Sequence, residues 1–141
     1  MALQISSRLA IFALIELAAE PERQVSVSEI GRKFKVSSHH LAKVMHTLGR
    51  AGMVRSIRGV GGGYSFCGNA KRTTLLDVIT LFEDSPANEH SIPEDDETHP
   101  AEWALDQILF EIDDIARATL GAITLSTMLK QINRRKNLSN A

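Results

Sequence analysis

Apolar residues recur at three- and four-residue steps over most of the chain, and the breaks in that pattern mark its joints. In segment 3–19, Leu9, Phe12, Ala13, Leu14, Leu17 and Ala18 form one stripe, predicting a helix that Pro21 stops. Ser26 with Glu29 three residues on has the spacing of a capping box, opening a short helix to about Phe34 with Ile30 and Phe34 facing in. Lys35-Val36-Ser37 reads as a turn. Ser37 or Ser38 then caps a third helix, with Leu41, Val44, Met45 and Leu48 as its buried face and Ala51-Gly52 as its end.

From Met53 the period changes. Residues 53–58 and 64–67 read as two strands, and Gly59-Val60-Gly61-Gly62-Gly63 between them accepts the positive φ values of a hairpin tip. Thr73 or Thr74 caps another short helix, with Leu76, Ile79 and Phe82 at core spacing. Residues 83–102 hold eight acids and Pro86, Pro93 and Pro100 with no Lys or Arg, the composition of a solvated, mobile connection. Trp103–Leu120 is then a long helix free of Gly and Pro. Leu105, Ile108, Ile112, Ile115 and Thr119 step along it in a heptad-like stripe, with Leu109 and Leu120 off the seam. Gly121 ends it, and Thr124 starts a last helix carrying Leu125, Met128, Leu129 and Ile132. The tail, with Arg134, Arg135 and Lys136, is expected to fray.

The bulk numbers add constraints. At 141 residues, 43% hydrophobic and 23% charged, the chain suits one domain with an appended element. No apolar run approaches the roughly 18–20 residues of a membrane span, and Glu16 interrupts the apolar start, which also lacks a basic lead. The expectation is a cytoplasmic protein without membrane contact. One cysteine, Cys67, leaves no disulfide framework within a chain. The net charge of −1 conceals a division: residues 1–72 carry eleven Lys and Arg against four acids, and residues 73–141 five against thirteen. A basic half of this kind points to nucleic acid.

Three helices followed by a Gly-tipped hairpin give a mainly α chain with a small β-hairpin, in the order of a winged helix-turn-helix. In that arrangement the third helix enters the major groove and the wing touches the backbone or minor groove. Ser38, His39, His40 and Lys43 at the start of helix three can hydrogen-bond base edges or phosphate, and the helix N-terminus favours a phosphate. Arg50 follows at its end. Arg55 and Arg58 flank the wing tip, where Gly59 and Gly61 allow close approach to a narrow groove. The alternatives are a solvated basic face, a plain hairpin and two surface histidines. Residues 1–83 are the expected winged domain, with the helix-turn-helix at about 28–51 and the wing at 53–67. Residues 84–102 are an acidic loop, 103–133 a dimerisation helix with the terminal helix, and 134–141 a basic tail.

Ser28-Glu29-Ile30, Ser37-Ser38-His39-His40-Leu41, Leu48-Gly49-Arg50-Ala51-Gly52-Met53-Val54 and Arg58-Gly59-Val60-Gly61-Gly62-Gly63-Tyr64 together resemble the Rrf2 family of bacterial transcription regulators, of the IscR, NsrR and CymR kind. The resemblance covers nearly the whole chain and is most specific from Arg55 to Tyr64. It implies a homodimer of cross-packed long helices, here with Leu105, Ile108, Ile112 and Ile115 as the seam, binding duplex DNA at a pseudo-palindromic operator as a repressor. Alternatively, that stripe packs on its own domain.

The chain departs from the family at its sensor. Many members hold an iron–sulfur cluster with three cysteines before the long helix, whereas residues 86–100 here contain none. Some relatives add an acidic ligand from helix one, where this chain has Ser6, Ser7 and Arg8. The expectation is no iron–sulfur cluster and no other cofactor. Cys67 is then either a thiol switch, with Lys71 and Arg72 near in sequence, or a small core residue closing the wing strand. His90 and His99, with Glu94–Glu97, are weakly spaced divalent-metal candidates. The acidic loop either binds a protein partner or repels DNA. No nucleophile–base set, rigid carboxylate pair or cofactor fingerprint is present, so no enzyme is expected. A protein-interaction adaptor, or a thiol- or metal-dependent sensor whose output is not repression, is the alternative function. His46 reads as an edge residue.

Overall fold

The apolar segment near the start of the chain becomes the centre of the molecule. In the computed structural model, which describes residues 3–83 and 99–140, helix α1 (Ile5–Ala19) buries Leu9, Ala10, Ile11, Ala13, Leu14, Ile15, Leu17 and Ala18. The predicted single stripe is too narrow because other elements contact α1 on several sides, and a helix apolar nearly all round belongs in a core. Full burial of a leucine such as Leu14 or Leu17 contributes about 1.5–3 kcal/mol. Phe12, assigned to the stripe, is partly exposed. Its ring stacks on Phe34 at 5.1 Å, with the Arg8 guanidinium 5.7 Å from its centroid.

Helix α2 (Val27–Phe34) starts where expected: Ser26 Oγ accepts from the Glu29 N–H at 3.1 Å. The return half of the capping box is absent because the Glu29 carboxylate pairs with Arg23. Lys35 takes the left-handed conformation at φ 56°, and the Val36 N–H closes back on the Gly31 carbonyl at 2.9 Å. That makes the turn into α3 (Ser38–Arg50), capped by Ser37 accepting from the His40 N–H. Leu41, Val44, Met45 and Leu48 are its buried face, as the spacing predicts. The Met53 N–H bonds the Leu48 carbonyl at 3.1 Å and ends the helix.

The wing is β1 (Val54–Ile57) paired antiparallel with β2 (Gly63–Phe66) in the register Val54↔Phe66 to Ile57↔Gly63. Both strands end short of the predicted limits, leaving Cys67 outside β2. At the tip the Gly62 N–H bonds the Gly59 carbonyl at 2.9 Å, with Gly61 at φ 76°, as a type II turn requires. The other edge of β2 is also engaged, since Val25 and Tyr64 exchange both backbone bonds at 2.9 and 2.8 Å.

Helix α4 (Leu75–Ile79) has a complete capping box between Thr74 and Asp77 and buries Val78 and Ile79, while Leu76 and Phe82 are half-buried. Glu83, expected in the acidic connection, instead accepts from the Gln4 N–H at 3.4 Å and from the Ser7 hydroxyl. It places a carboxylate at the N-terminus of α1, where the helix dipole favours one. Helix α5 (Pro100–Ala122) begins three residues before the predicted Trp103, because proline is compatible with the first helical position. Residues 84–98 of the expected acidic loop lie outside the described residues. Near its end α5 meets α4, with Gly121 close to the Leu76 side chain.

Helix α6 (Leu125–Ser139) is capped by Thr124 and seats Leu125 fully in the core beside α1. A backbone bridge, Thr74↔Thr124, ties its start to that of α4. The basic tail is not frayed from residue 134: Arg134, Arg135 and Lys136 are helical, in a run of good helix formers without Gly or Pro.

Candidate nucleic-acid interface

Alternation of buried and exposed positions on α3 sets what the domain offers to solvent. With Leu41, Val44, Met45 and Leu48 turned inward, Ser38, His39, Lys43, His46 and Arg50 are left exposed. His40 differs from its neighbours. It is half-buried, and its Nε2 lies 3.2 Å from Ser6 Oγ, a hydrogen bond joining the start of α3 to the first turn of α1. On the wing, Arg55, Arg58, Gly59 and Gly61 are all exposed, and Val60 projects from the tip.

The electrostatics follow from where the acids fall. Between Ile30 and Leu76 there is no Asp or Glu, against nine Lys and Arg and three His. Among the described residues the ion pairs are Arg23–Glu29 and Lys33–Glu16, both on the side of α1 and α2. Lys43, Arg50, Arg55 and Arg58 therefore present uncompensated charge around α3 and the wing. Such a surface attracts a polyanion, and the mixture of imidazole, hydroxyl and guanidinium donors suits phosphate oxygens and base edges.

Cys67 is exposed, which removes the reading of a buried core residue. Its Sγ donates to the Gly52 carbonyl at 3.3 Å, at the turn that leaves α3. It borders an open groove between α3 and the wing that His46 and Tyr64 also line. The sequence pattern reads His46 only as an edge residue and Tyr64 only as a strand residue of the wing motif. For His46 the signal was available, since it stands one turn before Arg50 on the same face; for Tyr64 it depends on strand register.

The stripe proposed for dimerisation is uncovered. Leu105 is 56%, Ile108 55%, Ile112 53% and Ile115 68% exposed, and α5 has no buried residue at all. Packing of this stripe on its own domain is thereby excluded among the described residues. Of the metal candidates, His90 lies outside the described residues, and His99 Nδ1 accepts from the Ala101 N–H at 3.1 Å as the cap of α5. No helix among the described residues is long and apolar enough to cross a membrane.

Comparison with known proteins agrees with this architecture. Residues 3–131 match the family model Rrf2, described as an iron-dependent transcriptional regulator. BadM of Rhodopseudomonas palustris, named as an HTH-type transcriptional regulator, is 46% identical over 96% of this chain and 87% of its own. The HTH-type transcriptional regulator CymR of Bacillus subtilis is 30% identical over 91% of this chain and 89% of its own. The solved structure of B. subtilis CymR, the global cysteine regulator, superposes with a TM-score of 0.75 at 25% identity, covering 93% of this chain and 98% of that one. These relatives are regulators and not enzymes. The chain belongs to the Rrf2 family of winged helix-turn-helix transcription regulators.

Proposed function

We propose that two copies of this chain form a cytoplasmic repressor that reads a pseudo-palindromic operator, each copy through α3 and its wing. The observation that carries this is the acid-free run from Ile30 to Leu76, folded so that α3 and the hairpin present Lys43, Arg50, Arg55 and Arg58 without carboxylate partners. Phosphate contacts by these cations position the domain, and Ser38, His39 and Lys43 at the head of α3 reach base edges. Helix α5 supplies the second half of the reading. Leu105, Ile108, Ile112 and Ile115 form an apolar seam that water covers in a single chain and that a twofold partner would bury. A dimer of this kind sets its recognition helices about 34–36 Å apart, one turn of duplex or a multiple of it.

The donor set does not fit the iron–sulfur cluster of the family. A cluster site needs several thiolates, and the chain has one, held at the turn after α3. In α1, Ser6 is bonded to His40 and Ser7 to Glu83, so those positions serve the fold. The proposed sensor works without a cluster, and Cys67 is the favoured group for it because it is exposed beside the element that would read DNA.

Selection of bound duplexes from a random library, followed by sedimentation of the complex, tests the reading. The expected result is an inverted repeat carrying two chains. A sequence without twofold symmetry that binds a single chain contradicts it.

A further inference from the structure

Helix α1 begins without a local cap. Its N-cap residue, Gln4, makes no side-chain bond to the first turn, and that turn holds no acid. A capping box would place a Glu at the third helical position, reaching back to the N-cap N–H. Here that position is Ser7, which is fully buried. Glu83, 79 residues from Gln4 in the chain, supplies the missing carboxylate. One oxygen accepts from the Gln4 N–H at 3.4 Å and the other from the Ser7 hydroxyl. The acid is itself fixed, because its N–H bonds the Ile79 carbonyl at 3.0 Å at the end of α4, where Val78 and Ile79 are buried.

Ser6 precedes Ser7 and so projects about 100° away around the helix. Its Oγ is hydrogen-bonded to His40 Nε2 at 3.2 Å. His40 lies in the first turn of α3 and is held twice, since its N–H also bonds Ser37 Oγ at 3.3 Å. The exposed donors of the α3 head, Ser38, His39 and Lys43, share that turn or the next. Two adjacent serines of α1 therefore join the end of α4 to the head of α3.

The two kinds of DNA contact respond differently to a shift of α3. Attraction between a guanidinium and a phosphate falls slowly with distance, whereas a hydrogen bond to a base edge is lost within a few tenths of an ångström. A reading surface needs its donors held to within about 0.5 Å by supporting bonds. We propose that Glu83 and Ser6 are positioning residues for DNA reading: Glu83 fixes the first turn of α1 through Ser7, and Ser6 fixes the head of α3 through His40. His40 is then an anchor of α3 and not a base contact. The inference rests on the DNA-binding reading and adds what sets its accuracy.

The experiment uses the full chain and measures affinity for the selected operator and for an unrelated duplex of equal length, each against salt. The urea midpoint and the ring nitrogen resonances of His40 are recorded for every variant. Glu83→Gln keeps one acceptor but turns an amide N–H toward the other donor. Glu83→Gln and Ser6→Ala are each expected to lower operator affinity about three- to tenfold. Affinity for the unrelated duplex and the salt slope are expected to stay unchanged. The double variant is expected to lose no more than the worse single one, because both changes break one chain of bonds. Ser6→Thr, which keeps the hydroxyl, is expected to restore the parent ratio of the two affinities. The His40 Nε2 resonance is expected to move in Glu83→Gln as in Ser6→Ala, although Glu83 bonds Gln4 and Ser7 and not the ring.

A parent-like ratio in both single variants overturns the brace and leaves the DNA-binding reading standing. Equal losses on both duplexes, adding up in the double variant, also overturn it, because a merely structural bond acts in that way. If Glu83→Gln does not fold, Glu83→Asp keeps the charge, shortens the reach by one methylene and is read by the same outcomes. If the parent binds no duplex, the reading and the proposal fall together.

Discussion

Gly63 lies against the Val25 carbonyl, where a Cβ would come within 2.6 Å of the oxygen. The close approach lets β2 take Val25 as a second neighbour, so the wing is tied to the segment entering α2. Gly63→Ala is expected to force these strands apart and destabilise the fold by about 1–3 kcal/mol, measured by urea denaturation. A glycine-rich tip announced a hairpin in the sequence, but not this pairing, which joins residues far apart in the chain. Arg58 offers the opposite kind of substitution. It is exposed and in no ion pair, so Arg58→Ala should leave the urea midpoint unchanged and weaken operator binding. Equal affinity for variant and parent would remove the wing from the interface. His40 shows where residue-scale reading runs out. Its neighbours His39 and Lys43 face solvent as the helix pattern implies, whereas the bond to Ser6 depends on where α1 lies.

Helix α5 is the element whose sequence pattern and structure agree most usefully. Its heptad-like stripe is legible from spacing alone, and the fold leaves that stripe uncovered. Because Ile112 is already exposed in one chain, Ile112→Glu should cost the isolated fold little. The same change places a charge in a dimer seam, so sedimentation is expected to show monomers and operator affinity to fall. A dimer that persists would move the interface elsewhere. At α4 the complete capping box makes Thr74→Ala worth about 1 kcal/mol of stability, readable as a lowered melting temperature. The other elements were legible to differing degrees. The buried face of α3 followed directly from its period. Helix α1 is legible as a helix but not as a fully buried one, since a stripe count cannot reveal a helix that meets several other elements. The start of α5 is not legible because proline reads as a breaker until it occupies a first helical turn, and the end of α6 is not legible because a basic tail resembles a frayed one.

At the scale of the molecule, the near-neutral total charge separates into a basic half and an acidic half. The fold gives the first of these a shape: α3 and the wing form one cationic surface, and the acids of the first half pair elsewhere or lie before α3. The interface was therefore legible as a charge division and a helix order, while the groove between α3 and the wing required strand register and the exit turn of α3. The single cysteine argues for a regulator that departs from the iron-dependent description of its family. Protein purified without oxygen is expected to contain no stoichiometric iron and to bind its operator equally with and without chelator. Thiolate-to-iron absorption bands would refute that expectation.

The central claim is that α3 and the wing bind duplex DNA by neutralising its phosphates. The most direct measurement is operator affinity against salt for the parent chain and for a Lys43→Ala, Arg55→Ala, Arg58→Ala triple variant. The account expects log K to fall linearly with log salt in the parent, by about 0.9 per phosphate neutralised, and the variant's slope to be shallower by about two to three. Identical slopes for the two proteins would contradict it.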